Sequence, residues 1–176
     1  MAVRGNVVQA FRRVLFAAAT LGAALPPGSA VSQQRSLQDQ LIGTWALVSN
    51  EHTRPDGTKR QLYGSDPKGT LILLANGRFA TISVSSERLM FKSNNRLQGT
   101  PEENQSAVQG TNASFGTWSV DEANKSLTMR FEGNLFRNLE GTDSKRPILL
   151  AGDQLRVINP APGVGGSADI VYRRIR

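Results

Sequence analysis

From Leu41 to the C-terminus the chain is a series of short apolar runs, each cut off after a few residues by Gly, Pro, Asn or Asp. That rhythm constrains the fold more than any other feature. The runs sustain no helical period, and no strand–helix alternation separates them, which argues against a parallel nucleotide-binding sheet. Short strands at this spacing predict an antiparallel sandwich or barrel. The sharpest signal is Asn76-Gly77, between β-prone runs at 69–74 and 78–84, because both residues tolerate the positive φ of a tight hairpin. Further strands are predicted at 44–52, 59–63, 115–120, 126–132, 145–150, 154–159 and 169–175. Pro55-Asp56-Gly57, residues 121–125, 151–153 and the Pro/Gly-rich 160–167 supply the turns between them. The rhythm breaks only at 85–112. There, 86–92 and a segment opening on Pro101-Glu102-Glu103 predict an insertion of one or two short helices, placed as a lid over one end of a barrel.

The first 30 residues read differently. Arg4, Arg12 and Arg13 precede an alanine-rich apolar stretch at 14–25, which Pro26-Pro27 ends. Gly28-Ser29-Ala30 then offers small residues for a cut after Ala30, the pattern of an export signal. The stretch falls short of the roughly 20 apolar residues of a spanning helix. The expected organisation is a signal peptide at 1–30, a flexible mature N-terminus at 31–37 and one domain at 38–176, periplasmic or secreted. An uncleaved signal anchor is the rival. Arg12-Arg13 keeps a twin-arginine route open beside the favoured general secretory one.

Charge and cysteine narrow the function classes. The chain has no cysteine, which excludes disulfides, thiolate metal sites, a cysteine nucleophile and a lipoprotein anchor. Three of the 21 Lys and Arg lie in the export segment, leaving 18 against 14 acids in the remainder. Those charges are scattered, so a nucleic-acid partner is not expected. His52 is the only histidine and cannot by itself build a histidine metal site. No metal or cofactor is expected, no catalytic constellation stands out, and His52 is expected at the surface near a strand end. The oligomeric state is open.

Two peptides are alike, Gly43-Thr44-Trp45-Ala46-Leu47-Val48 and Gly116-Thr117-Trp118-Ser119-Val120, each with Gly-Thr-Trp leading into a strand. A tryptophan so placed would plug one end of a small barrel. The first resembles the Gly-x-Trp approach to the first strand of lipocalins. The ordered set of motifs resembles more closely the bacterial and fungal lipocalin-like domain family. It comprises Leu41-Ile42-Gly43-Thr44-Trp45, Tyr63-Gly64-Ser65-Asp66-Pro67-Lys68-Gly69, Asn76-Gly77-Arg78, Gly116-Thr117-Trp118-Ser119-Val120-Asp121, Phe131-Glu132-Gly133 and Asn138-Leu139-Glu140-Gly141-Thr142-Asp143. The likeness covers residues 38–175. It implies an all-β fold: an antiparallel lipocalin-like β-barrel of about eight strands, with a short helical insertion and a central cavity. It also implies that a late-strand arginine, here Arg174, stacks on Trp45. The family often carries a His-His pair where this chain has Met129 and Arg130, so no metal or acid–base role comes over for that pair.

Period two puts Leu127, Met129 and Phe131 on one strand face and Thr128, Arg130 and Glu132 on the other. Large apolar side chains favour the first face as the inner one. The reverse would place an Arg130–Glu132 pair in the cavity, suited to a carboxylate or phosphate head group. Trp45, Leu47 and Ser49 share a face, as do Phe79, Thr81 and Ser83. Tyr63 either reaches the barrel mouth or anchors its loop. The candidate ligand-binding residues are therefore Tyr63, Phe79, Thr81, Met129, Arg130 and Glu132. The expected function is binding of a small hydrophobic or amphipathic molecule in the cavity. The alternatives are an isomerase- or cyclase-type enzyme using Arg130, Glu132 and Tyr63, and a filled barrel with a structural or interaction role.

Overall fold

The computed structural model describes residues 35–176. The expected export segment and residues 31–34 lie outside the described residues. Helix α1 (Leu37–Leu41) leads into β1 (Gly43–Thr53), β2 (Lys59–Gln61), β3 (Lys68–Leu73) and β4 (Arg78–Val84). Helix α2 (Pro101–Gln109) follows, then β5 (Thr111–Asp121), β6 (Ser126–Asn134), a 3-10 turn (Arg137–Leu139), β7 (Asp143–Ala151), β8 (Gln154–Asn159) and β9 (Ser167–Arg174). All pairings are antiparallel. The strands run in the order β2-β1-β3-β4-β5-β6-β7-β8-β9, and β1 also pairs with β9. β2 meets only the far end of β1, through Glu51↔Gln61 to Thr53↔Lys59. The other eight strands close a barrel, whose ladder from Trp45↔Arg174 to Thr53↔Ser167 removes the open sheet edge.

The turns form where the turn residues stand. Gly77 has φ +77° and donates to the Leu74 carbonyl, while the Asn76 side chain accepts from the Arg78 N–H at 3.1 Å. Asp121 closes the β5–β6 turn by accepting from the backbone N–H of Asn124 at 3.0 Å. Residues 86–92 form a turn followed by irregular backbone rather than the expected short helix. Ser85 explains the difference: its hydroxyl accepts from the Glu87 N–H at 3.1 Å and its carbonyl from Arg88 Nε at 3.0 Å, a local alternative to helical bonding. The helix at Pro101 forms as expected. Thr100 and Glu103 make a reciprocal capping box, with Pro101 in the first turn.

Two bulges set which side chains point inward. Between Leu47 and Ser49 the register slips by one residue at Val48. Trp45 and Leu47 face inward before the slip; after it Asn50 and His52 do, and Ser49 does not. The expected surface histidine is therefore buried, 1% exposed, with Nε2 2.6 Å from the Gly165 carbonyl oxygen. A carbonyl only accepts, so Nε2 carries the proton there. The second bulge lies between Phe115 and Gly116. A Cβ at Gly116 would collide with the Arg130 carbonyl oxygen, so the strand crossing needs glycine.

One barrel end is packed solid. Leu37 and Leu41 of α1 cover it, above Trp45, Leu73, Trp118, Leu127 and Leu155. Leu37, expected in the flexible N-terminus, opens α1 and is buried. The indoles find polar partners within this plug: Trp45 Nε1 donates to the Leu41 carbonyl at 2.9 Å and Trp118 Nε1 to the Leu74 carbonyl at 3.0 Å. Each large side chain buried here contributes roughly 1.5–3 kcal/mol, which matters in a chain without disulfides. No helix among the described residues is long and apolar enough to cross a membrane.

Candidate functional site

Above the plug the barrel is hollow. A cavity of about 260 Å³ runs from mid-barrel to a mouth bordered by the end of α2, by Leu135 and Phe136, and by Val164. The interior is not filled, which removes the reading of a solid barrel. The volume lies just under the roughly 300–1,000 Å³ usual for small-molecule pockets, so it suits a molecule of modest length.

The alternation of β7 places its chemistry. Ile148 and Leu150 point inward, so Arg146 and Ser144 do too, and Lys145 points out. Arg146 lines the cavity. Its guanidinium carbon lies 5.7 Å from the ring centroid of Phe131, and its Nε donates to Ser144 Oγ at 3.0 Å. No carboxylate pairs with it among the described residues; every ion pair there joins other groups at the surface or rim. Burial pushes its pKa below the ordinary value, partly offset by Tyr172. An arginine keeps its proton even so. The cavity wall therefore carries a desolvated positive charge whose remaining donors have no acceptor among the described residues.

Around it stand hydroxyls. Tyr172 on β9 is buried beside Thr81, whose Oγ1 donates to the Thr70 carbonyl at 3.0 Å. Burial pushes the Tyr63 hydroxyl up to about 12, with Tyr172 adding to the effect. Both tyrosines are thus neutral donors at physiological pH. Together Arg146, Tyr172 and Tyr63 form a donor-rich patch in a wall that mixes the apolar Phe131, Leu62, Leu139 and Ile170 with further polar side chains. Such a surface can accept an apolar body and fix one acidic end by charge-assisted hydrogen bonds.

The expected site residues divide three ways. Tyr63 and Thr81 line the cavity. Phe79 and Met129 point inward but lie in the plug beneath it: Met129 pairs across from Trp118, and Phe79 meets Phe131 edge-on with centroids 6.0 Å apart. Arg130 and Glu132 are on the outer face, which corrects their placement as ligand contacts. Arg130 pairs with Asp143 at 3.1 Å, and Glu132 pairs with Arg78, which holds its carboxyl below the usual range. The inward demand of Leu127, Met129 and Phe131 forces this orientation. The isomerase or cyclase reading drew its polar pair from Arg130 and Glu132 and loses it. Among the described residues no cluster of three or more His, Asp or Glu is placed to hold a metal.

A sequence profile of the lipocalin-like domain family matches residues 42–168. No curated protein matches the chain in sequence. Among solved structures, the chain is similar to a lipocalin-like protein from Bacteroides uniformis at 15% identity, with 77% of this chain and 98% of that one covered and a TM-score of 0.43. It is also similar to fatty-acid-binding protein 1 of Echinococcus granulosus at 13% identity, covering 78% and 99% of the two chains with a TM-score of 0.36.

Proposed function

The chain belongs to the lipocalin-like domain family, and from that premise we propose that it binds a small amphipathic acid in the barrel, apolar body against Phe131 and Ile170 and acidic group at Arg146. The observation that carries this is the unpaired Arg146 facing the cavity. An isolated charge removed from water is costly unless a partner answers it, and a ligand carboxylate supplies the missing partner. The donors of Tyr172 and Tyr63 add to the same patch. The modest volume favours a medium-length chain over a long acyl chain.

Titration calorimetry of the mature chain with decanoic acid and decanol tests the reading. The acid is expected to bind more tightly than the alcohol, and Arg146→Leu to weaken the acid about 10–100-fold while leaving the alcohol unchanged. Equal binding of the two by the unaltered protein would sink it.

We also propose that the protein is exported to the periplasm or secreted. The support is the three arginines, the apolar stretch at 14–25 and the small residues ending at Ala30. Expression of the whole chain in a bacterial host should yield a processed form beginning at Val31. A full-length product retained in the cytoplasm would overturn this.

A further inference from the structure

The cavity wall carries a polar group that the acid subsite does not use. Asn50 on β1 is 6% exposed and lines the cavity, and its side-chain oxygen Oδ1, itself buried, has no hydrogen-bond partner among the described residues. Its backbone is fully engaged: its N–H donates to Gln61 Oε1 at 3.3 Å, and its carbonyl accepts from the Leu62 N–H at 2.8 Å. The bulge at Val48 turns this residue inward and the two backbone bonds hold it there. Native proteins leave few buried acceptors bare, so an unanswered one in a cavity wall points to a donor that arrives with the ligand.

The neighbouring wall is polar in the same sense. Ser83 on β4 and Ser114 on β5 are 4% and 6% exposed and line the same cavity. An unbranched hydrocarbon laid along this surface would strip these groups of any hydrogen-bond partner and return nothing. Asn50 and Arg146 lie three strands apart around the wall, along β1-β9-β8-β7, so they approach a bound molecule from different sides. One molecule that satisfies both carries two separated polar functions.

We propose that the ligand is a medium-length acid bearing in addition a hydroxyl or amide N–H, which donates to Asn50 Oδ1 as the Asn50 amide turns toward the cavity, while the acidic group sits at Arg146. The proposal rests on the acid-binding reading above and adds a second subsite to it.

The test is titration calorimetry with decanoic acid and a set of hydroxydecanoic acids whose hydroxyl is moved along the chain. The proteins are the unaltered mature chain, Asn50→Leu, Asn50→Ser and Arg146→Leu. At least one hydroxy acid is expected to bind the unaltered protein about tenfold more tightly than decanoic acid. Asn50→Leu should bring that ratio to about one, while Asn50→Ser, which keeps a small acceptor, retains part of it. Arg146→Leu should weaken both acids together and leave the ratio standing. If the unaltered protein binds decanoic acid as tightly as every hydroxy acid, water serves the Asn50 oxygen and the second subsite is wrong. A preference that survives in Asn50→Leu overturns it equally. Should Asn50→Leu fail to fold, the unaltered protein and Asn50→Ser still decide. Failure of the acid subsite looks different: decanol then matches decanoic acid, or Arg146→Leu changes nothing.

Discussion

Arg174, at the end of the last strand, holds its guanidinium carbon 4.0 Å from the ring centroid of Trp45, near the start of the first. The same group donates through Nη1 to the Ile42 carbonyl at 2.9 Å and through Nη2 to the Gln40 carbonyl. It thus stacks on the plug, answers carbonyls at the end of α1 and joins the two ends of the barrel sequence. Arg174→Met keeps a comparable length without charge and is expected to lower stability by about 2 kcal/mol, from lost stacking and carbonyl bonds. Arg174→Lys should recover less than half of that, because a point charge reproduces neither the planar stack nor the fork. Urea unfolding measures both; a lysine variant as stable as the original would refute the stacking account.

Gly116 is where two strands pass too closely for a side chain. Gly116→Ala must push β5 away from the Arg130 carbonyl of β6, at an expected cost of about 2 kcal/mol. The methyl group itself buries apolar surface, so a gain in melting temperature would mean the bulge relaxes without strain.

Arg146 makes the opposite prediction for stability. Its charge is desolvated and has no carboxylate partner among the described residues, so in the ligand-free protein it costs rather than contributes. Arg146→Leu is expected to leave the unfolding free energy unchanged or to raise it by about 1 kcal/mol, even as acid binding falls. A loss of 2 kcal/mol or more would make Arg146 a structural element of the barrel.

Acid sensitivity should centre on Asp121. Its carboxyl is held down to about 2, chiefly by the Asn124 side chain and backbone, then by Lys145. A depressed carboxyl lends stability above its unfolded value, near 3.9, and that stability is lost as pH falls through the folded value. The unaltered protein should therefore lose stability between about pH 4 and pH 2, and Asp121→Asn should flatten the decline. Thermal melts across that window give the comparison; identical slopes would assign the loss to other carboxylates.

What the sequence disclosed depended on whether the alternation could be phased. On β6, Leu127, Met129 and Phe131 alternate with polar residues, and the inner face could be read directly. The Gly-Thr-Trp peptides marked the plug, and Asn76-Gly77 marked its hairpin. Arg146 was missed because Lys145 and Arg146 are adjacent and the next residues, Pro147-Ile148-Leu149-Leu150, form an unbroken apolar run. Leu149 is 62% exposed, so that run conceals the phase instead of declaring it. Counting back from Ile148 and Leu150 as the inner pair would have turned Arg146 inward. Asn50 and His52 were hidden differently. One extra residue at Val48 reverses the phase halfway along β1, and nothing in Leu47-Val48-Ser49 announces a bulge.

The ladder between β1 and β9 also governs timing. Arg174 and Ile42, joined by a hydrogen bond, stand 132 residues apart in the chain. A nascent chain lacking its last strand is therefore no smaller barrel. It is a curved sheet with two raw edges, and its plug lacks the Arg174 clasp. Contacts this distant in sequence form late and belong to folds that mature in milliseconds to seconds rather than microseconds. The wall is all-or-none: it closes only after β9 has been made and has reached β1.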